Sequence, residues 1–315
     1  MSNKPSLSFG TDPEFMLADR NGNFVSAIPV VKASKDERID LGKGHKMFYD
    51  NVLVEFNVAT SYSEEQLISN LTDCFTRAVR KLGKYIMVPR ASNTYPEKEC
   101  KHKDALVFGC EPEYCAYEMS IIQPPSAEPG NNFRSGGGHI HLGYKDEEYP
   151  LLAKISDDNR NDRDWGRIWV VRMMDLFVGL PSLFIDHDPS SAARRKLYGK
   201  AGSHRPKEEY GVEYRATSNF WLASPRLATL VYRLSDFTVD FVRNKRHLEL
   251  WKDENNCIAY EAETLRKTID GSDIKSAKSM MEKIVKPLLP ANLYLDIFKL
   301  SDPVQYNFYR EWGLA

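Results

Sequence analysis

The sequence predicts an α+β chain, with an antiparallel sheet backed by helices over its first two thirds and a helical C-terminal part. Three observations predict it. Apolar and polar residues alternate in four separate stretches before residue 223, apolar residues recur at helical spacing from Pro225 onward, and 42% hydrophobic with 28% charged residues is an ordinary globular composition. With 315 residues the chain can bury about three quarters of its unfolded surface in one large or two small cores.

Taken in order, Asn21-Gly22-Asn23 separates Glu14-Phe15-Met16-Leu17 from Phe24-Val25-Ser26-Ala27-Ile28 and reads as a hairpin turn, because Asn and Gly tolerate positive φ. Ser63 followed by Gln66 is a capping box. Behind it Leu67, Leu71, Cys74, Ala78 and Leu82 repeat at helical spacing, which gives a helix with one apolar face to lay on a sheet. The middle third holds three strand-like stretches, near 106–117, 137–144 and 211–222. Among them lies the apolar run 168–185, which Arg172, Asp175 and Pro181 interrupt; it reads as a buried helix ending at Gly179-Leu180-Pro181 rather than a membrane span. Pro124 to Gly130 reads as an ordered loop. Leu227, Val231, Leu234 and Phe241 then suit one helix, and Ala277, Met280, Met281 and Ile284 another. The expected division is a sheet unit over 1–223 and a helical segment over 224–315 packed on it.

Charge and cysteine usage exclude some classes. The net charge of −1 leaves no basic surplus to drive binding to a nucleic-acid backbone. Cys74, Cys100, Cys110, Cys115 and Cys257 are odd in number and contain no Cys-x-x-Cys pair, which argues against a disulfide framework or a thiolate zinc site. Residues 1–8 lack the apolar core of a signal peptide, so a reducing cytoplasm is expected.

The chemistry is carried by the polar side of the alternating stretches, since residues i and i+2 of a strand share a face. Leu7, Phe9, Pro13, Phe15 and Leu17 oppose Asp12 and Glu14; Val52, Val54, Phe56 and Val58 oppose Asn51, Glu55 and Asn57; Ile140 and Leu142 oppose His139 and His141; Val212, Tyr214 and Phe220 oppose Glu213, Arg215 and Asn219. Glu111 and Glu113 repeat the arrangement, and Gly109-Cys110-Glu111-Pro112-Glu113-Tyr114 echoes Gly10-Thr11-Asp12-Pro13-Glu14-Phe15, as if two strands met one need. One side of an antiparallel sheet often simply faces water, but such faces mix Lys, Thr and Ser with Glu, and here no Lys is interleaved. Two carboxylates about 4 Å apart repel by about 1 kcal/mol in water and about 4 kcal/mol at an effective dielectric near 20. Positive charge must therefore sit among them. Divalent cations held by carboxylate oxygens and a His, in the manner of Mg²⁺ or Mn²⁺, would supply it; so would Arg134, Arg205 and Arg215.

Two further features flank these strands. Ser135-Gly136-Gly137-Gly138 lets backbone approach a ligand closely or marks a bulge, because glycine lacks Cβ. The stretch 194–205, with Arg194, Arg195, Lys196, Lys200 and Arg205, reads as a basic glycine-containing loop whose guanidinium groups suit carboxylate and phosphoryl oxygens. No Walker-type, dinucleotide-type or Gly-x-Ser-x-Gly element occurs, so covalent Ser or Cys catalysis is disfavoured.

As a set, Gly10-Thr11-Asp12-Pro13-Glu14-Phe15, Val54-Glu55-Phe56-Asn57, Gly109-Cys110-Glu111-Pro112-Glu113, Gly136-Gly137-Gly138-His139-Ile140-His141-Leu142-Gly143, Leu197-Tyr198-Gly199-Lys200-Ala201-Gly202 and Gly211-Val212-Glu213-Tyr214-Arg215 resemble, in order, the motifs of the phage-type carboxylate-amine ligases. These are amidoligases of the glutamine synthetase and glutamate-cysteine ligase superfamily. The resemblance covers residues 6–223. It implies a glutamine synthetase-like, funnel-shaped antiparallel sheet that holds ATP and two or three Mg²⁺ or Mn²⁺ ions. It further implies metal ligands among Asp12, Glu14, Glu55, Glu111, Glu113, His139, His141 and Glu213, nucleotide contacts from Arg134, Lys200, Arg205 and Arg215, and catalytic roles for Glu55, Arg205 and Arg215. Asn57 and Asn219 are secondary candidates for holding substrate. The first motif departs from the acidic-x-acidic strand of the glutamate-cysteine ligases by its proline, which removes a ladder donor and predicts an edge or bulged strand.

The implied reaction joins a carboxylic acid and an amine at the cost of ATP, in the host cytoplasm if the gene is a phage's. The substrates would be small molecules or peptides, including cell-wall precursors or modified bases, met by loops at 32–46 and 124–130. A metal-dependent hydrolase using His139, His141 and the carboxylates, and a non-catalytic binding protein on the same fold, are the rival readings. No membrane partner is expected, and an exposed apolar face on the Trp169 helix would point to a homo-oligomer.

Overall fold

A computed structural model describes residues 7–106, 112–122, 131–144, 162–250, 262–302 and 306–314. The chain is α+β. Among the described residues one antiparallel sheet runs in the order β3 (Ile39–Gly42), β4 (His45–Asp50), β5 (Leu53–Asn57), β1 (Ser8–Ala18), β11 (Gly138–Gly143), β13 (Gly211–Tyr214), β12 (Ser203–Lys207), β8 (Glu113–Cys115) and β9 (Ser120–Ile122). Two short strands, β2 (Phe24–Val25) and β6 (Ile86–Val88), pair with the far end of β1, and β7 (Ser92–Thr94) pairs separately with β10 (Phe133–Ser135).

The Asn-Gly hairpin forms between β1 and β2, with Gly22 at φ +82 and the Asn21 N–H donating to Asp19 Oδ1 at 2.8 Å. Its second strand stops at Val25 rather than Ile28, because Ile28–Val31 turns into a short helix with proline in its first turn, where the missing N–H costs nothing. The expectation that Pro13 puts β1 at an edge is corrected: β1 is central, between β5 and β11. The pairing on the β5 side slips in register ahead of the proline: Phe9 bridges Ser61, but the Val58 N–H reaches the Thr11 carbonyl and Glu14 and Phe15 pair with Glu55 and Val54, so the extra residue lies in the partner segment between the Phe9 and Thr11 contacts.

Helices cover the apolar back of the sheet. In Glu64–Leu82 the Ser63 Oγ accepts the Gln66 N–H at 3.1 Å, the Gln66 side chain accepts the Tyr62 N–H at 2.9 Å, and Leu67, Leu71, Cys74, Phe75, Ala78 and Leu82 are buried, as the periodicity predicts. Phe75 meets Phe15 and Phe56 of the sheet edge-on, with ring centroids 5.4 and 6.4 Å apart. The run near 168–185 does not end at Pro181. Helix Asp162–Met174 passes through a π turn, Asp175–Gly179, in which the Leu180 N–H reaches back to the Asp175 carbonyl, and resumes as Leu180–Ile185 with Pro181 in its first turn. The wider turn restarts the helix, and Pro181 then sits where no N–H is needed. By length and composition Trp165–Ile185 could cross a membrane, yet 94% of its apolar window is buried inside the structure. Trp169 itself is buried, 5.0 Å from the His247 ring, so no apolar face is exposed there.

Three more expectations change. Only Gly211–Tyr214 of the 211–222 stretch is strand; Ser218 Oγ accepts the Phe220 N–H and starts a 3-10 turn over Asn219–Ala223. Of 106–117, Glu113–Cys115 is strand, and 107–111 lie outside the described residues, as does the loop 124–130. Arg194 and Arg195 belong to a helix, Ser191–Leu197, and are buried rather than part of a solvated loop. Helix Pro225–Arg243 buries Leu227, Val231, Leu234 and Phe241, and Ile274–Met280 continues into a π turn at Met281–Val285 that buries Met281 and Ile284. The larger of two hydrophobic clusters among the described residues joins residues from Leu7 to Trp312, and a smaller one gathers Met16, Ile28, Val52, Leu53 and Tyr95.

Candidate active site

Register decides which side chains share the polar front. Asp12 lies opposite His139 and Gly10 opposite His141 across β1 and β11; Glu14 faces Glu55, His141 faces Glu213, and Glu213 faces Arg205. Residues paired in a ladder point to the same side. Five strands thus deliver Asp12, Glu14, Glu55, His139, His141, Glu213 and Arg205 to one face, where a cavity of about 270 Å³ opens. Asp12, Glu14, Glu55, Glu113, His139, Glu213, Arg134, Arg205, Arg215 and Asn57 line it. His141 shares the face without lining the cavity, Lys200 is exposed on a turn outside it, and Asn219 is buried behind it, donating to the carbonyls of Glu14 and Arg90. Glu111 lies outside the described residues.

One end of the cavity is acidic. Glu14, Asp50 and Glu55 each bring a carboxylate oxygen to within 4.8 Å of the others. Asp50 is the acidic residue sequence reasoning misses: Asp50-Asn51 closes the hairpin between β4 and β5, with Asn51 at φ +56, and in sequence it reads as turn chemistry only. Glu14 Oε2 accepts the Gly137 N–H at 2.6 Å, while Glu55 Oε2 is buried without a hydrogen-bond partner. Burial, and then the charge of Asp50, pushes Glu14 up to about 7. Burial and then Glu14, Asp50 and Asp12 push Glu55 well above the ordinary carboxylate range. An all-oxygen donor set with an orphaned buried oxygen suits a hard divalent cation.

The other end is basic. Glu213 receives a short hydrogen bond from Arg215 Nη1, and Lys207 Nζ and Arg205 Nη1 stand 3.1 and 3.6 Å from its oxygens. Arg215 also donates Nε–H to Glu113 Oε1 at 3.1 Å and Nη1–H to His139 Nδ1 at 3.2 Å. Burial, and then Arg215, Arg194 and Arg205, holds His139 well below its ordinary pKa. It is therefore a neutral imidazole whose Nδ1 accepts, leaving the proton on Nε2, 3.4 Å from the Tyr198 hydroxyl. Lys207 and Tyr198 were not singled out in sequence, since each reads as an ordinary polar or aromatic residue beside a basic run.

Asp12 sits between the ends. Burial works against its charge, but His141 Nε2 at 3.0 Å and the Asn57 amide at 2.9 Å hold it down to about 2. His141 Nδ1 lies 2.6 Å from the Tyr210 hydroxyl, so both of its nitrogens are engaged. Asn57 in turn accepts from Arg38, whose guanidinium lies 4.9 Å over the Phe48 ring at the cavity rim. Arg134 spends its guanidinium on Asn51 Oδ1 and on the carbonyls of Ala105, Asn131 and Phe133, which ties the hairpin turn to neighbouring loops. The glycines before His139 admit protein rather than ligand. A Cβ on Gly137 would lie 2.3 Å from His139 Nε2, and one on Gly138 would lie 2.5 Å from Trp221 Nε1.

Residues 167–282 match the family model described as "Phage phiEco32-like COOH.NH2 ligase-type 2". The matched segment carries Arg205, Lys207, Glu213 and Arg215; the acidic trio lies before it. No curated protein matches the chain. Among solved structures, a bifunctional glutathione synthetase from Pasteurella multocida is similar at a TM-score of 0.45 with 12% identity, over 98% of this chain and 51% of that one. The chain thus spans about half the length of that structure.

Proposed function

We propose that this chain is an ATP- and Mg²⁺-dependent carboxylate-amine ligase that forms an amide through an acyl phosphate and releases ADP and phosphate. One observation carries the reading: a single cavity has three crowded carboxylates at one end and Arg205, Lys207 and Arg215 at the other. The family match over residues 167–282 supports the reaction class.

In this reading Glu14, Asp50 and Glu55 hold a divalent cation, which when bound neutralises charge on the nucleotide's phosphates. Arg205 and Arg215 face the transferring phosphoryl group as preorganised donors, and Lys207 adds a point charge. Neutral His139 keeps Arg215 in place by accepting from it. The acid's carboxylate oxygen bonds to the γ-phosphorus as the bond to ADP breaks. The amine then attacks the acyl carbon, phosphate leaves, and the amine gives up a proton. A hydrolase built on a His139 and His141 pair gains no support, since Arg215 occupies His139 Nδ1 and His141, beside Asp12, lies outside the cavity lining. With this function we propose that the sheet is the superfamily's funnel, that 1–223 is the catalytic unit with 224–315 as its helical segment, and that the enzyme works in the cytoplasm.

The test is trapping. Purified protein with ATP, Mg²⁺, a panel of carboxylic acids and hydroxylamine is expected to give hydroxamate and ADP. AMP in place of ADP would overturn the acyl-phosphate route, and hydroxamate formed without nucleotide would overturn the ligase.

A further inference from the structure

Arg194 is a fully buried guanidinium with no carboxylate in ion-pair contact among the described residues. Its Nη1 donates to the Ala216 carbonyl at 3.0 Å and its Nη2 to the Arg215 carbonyl at 3.3 Å, while Nε is buried without a partner. A charge kept in such a place at net cost asks for a reason. The Tyr198 ring supplies one. Arg194 Cζ lies 5.2 Å from its centroid and Arg215 Cζ 5.3 Å, so one ring serves two guanidinium groups. Gly199, at φ +68, makes room for this: a Cβ there would lie 2.1 Å from Arg194 Nη1. The other groups that hold Arg215, the carboxylates of Glu113 and Glu213 and the His139 ring nitrogen, bond in the plane of its guanidinium, and the Tyr198 ring meets it as a cation–π partner.

We infer that Arg194 and Tyr198 are positioning residues for Arg215: Arg194 pins the Arg215 and Ala216 carbonyls and the Tyr198 ring, and the ring holds the Arg215 guanidinium over the cavity. Neither residue needs to touch the reacting atoms. The consequence for nucleotide binding rests on the ligase reading; the placement of Arg215 does not.

The test is a mutant cycle on the full chain, with binding of a magnesium-loaded, non-hydrolysable ATP analogue measured by calorimetry and folding checked by thermal melts. Tyr198→Phe keeps the ring and is expected to bind within about twofold of wild type, whereas Tyr198→Leu is expected to weaken binding about five- to tenfold. In an Arg215→Met background the Leu variant should add less than about twofold, because the two residues act as one unit. Arg194→Lys, which keeps charge but loses the fork, should weaken binding comparably and stands in if the Leu variant does not fold. Wild-type affinity in Tyr198→Leu, equal weakening by Phe and Leu, or full additivity with Arg215→Met would overturn the inference. If wild type itself fails to bind the analogue, the ligase reading falls and ligand-free crystal structures decide the clamp: Arg215 displaced in Tyr198→Leu upholds it, and Arg215 unmoved overturns it.

Discussion

At one end of the cavity Glu14, Asp50 and Glu55 crowd together with no basic side chain in ion-pair contact among the described residues, whereas at the other Glu213 meets Arg205, Lys207 and Arg215, and Glu113 meets Arg215 as well. Both ends are built on the same sheet face, from the same alternation of side chains. The acidic end gathers like charge out of water, and burial with that crowding raises the Glu14 and Glu55 carboxyls above their ordinary range. At the basic end Glu213 and Glu113 offset part of the positive charge. The contrast teaches that the acidic end is left unsettled until a cation arrives, whereas the basic end is held by its own ion pairs, which is the usual trade between function and stability within one site.

Substitutions at the acidic end should break the comparison most forcefully. Glu55→Gln and Asp50→Asn are each expected to cut hydroxamate formation about a hundredfold or more, while the metal-free protein melts at the same or a higher temperature. Added Mg²⁺ should raise the melting temperature of wild type and not of the variants. A lower metal-free melting temperature in both would show that this end carries no strain. At the basic end the sign reverses: Glu213→Gln removes a buried carboxylate shared by Arg205, Lys207 and Arg215 and should cost about 3–5 kcal/mol in chemical denaturation. A loss below about 1 kcal/mol would show that the cations do not depend on Glu213.

Asp175, behind the sheet, sharpens the comparison with a third way of keeping a buried carboxyl. It is satisfied by hydroxyls, from Tyr214 at 2.7 Å and Tyr117 at 2.8 Å, and burial pushes it up from 3.8 to about 7. Because the folded pKa is the higher one, its stabilising contribution is fully present below pH 3.8 and is lost as pH rises through about 7. Asp175→Asn should therefore remove up to one proton's worth of slope from stability between those limits, read from denaturation midpoints across pH. An unchanged slope would mean that other groups set it. The smallest effect is expected from Lys200→Ala. This lysine is exposed outside the cavity, and hydroxamate formation should stay within about twofold of wild type, as for surface substitutions generally. A tenfold loss would move the anion-binding end toward its turn.

Much of the front was legible in sequence because alternation is local: Glu14, Glu55, His139 and Glu213 reach one face by the period-2 rule alone. Asp50 was hidden because a turn residue and a ligand-like residue look alike until pairing brings β4 beside β5. The role of Arg194 was hidden for the opposite reason, since a basic run reads as solvated and its burial depends on carbonyls about twenty residues away. Long-range pairing also decided the place of β1, which Pro13 alone would have put at the margin, and the π turn carried a helix past Pro181 where local rules end it. The close glycines proved to serve protein groups: the His139 ring folds back over Gly137, Trp221 approaches Gly138 from far along the chain, and the Gly137 N–H goes to Glu14, and neither the rotamer nor the long-range packing can be read from the glycines themselves.

The central place of β1 also bears on how the chain is made. It is the only strand hydrogen-bonded to both the β5 side and the β11 side of the described sheet, yet ribosomes release it long before β11, on the order of ten seconds earlier at ordinary elongation rates. In that interval β5 and the helix Glu64–Leu82 can already dock on it, while its other edge stays open. A nascent chain paused there would expose a backbone template to neighbouring polysomes, and a chaperone that shields one edge of Ser8–Pro13 would be the natural escort until the later half is synthesised.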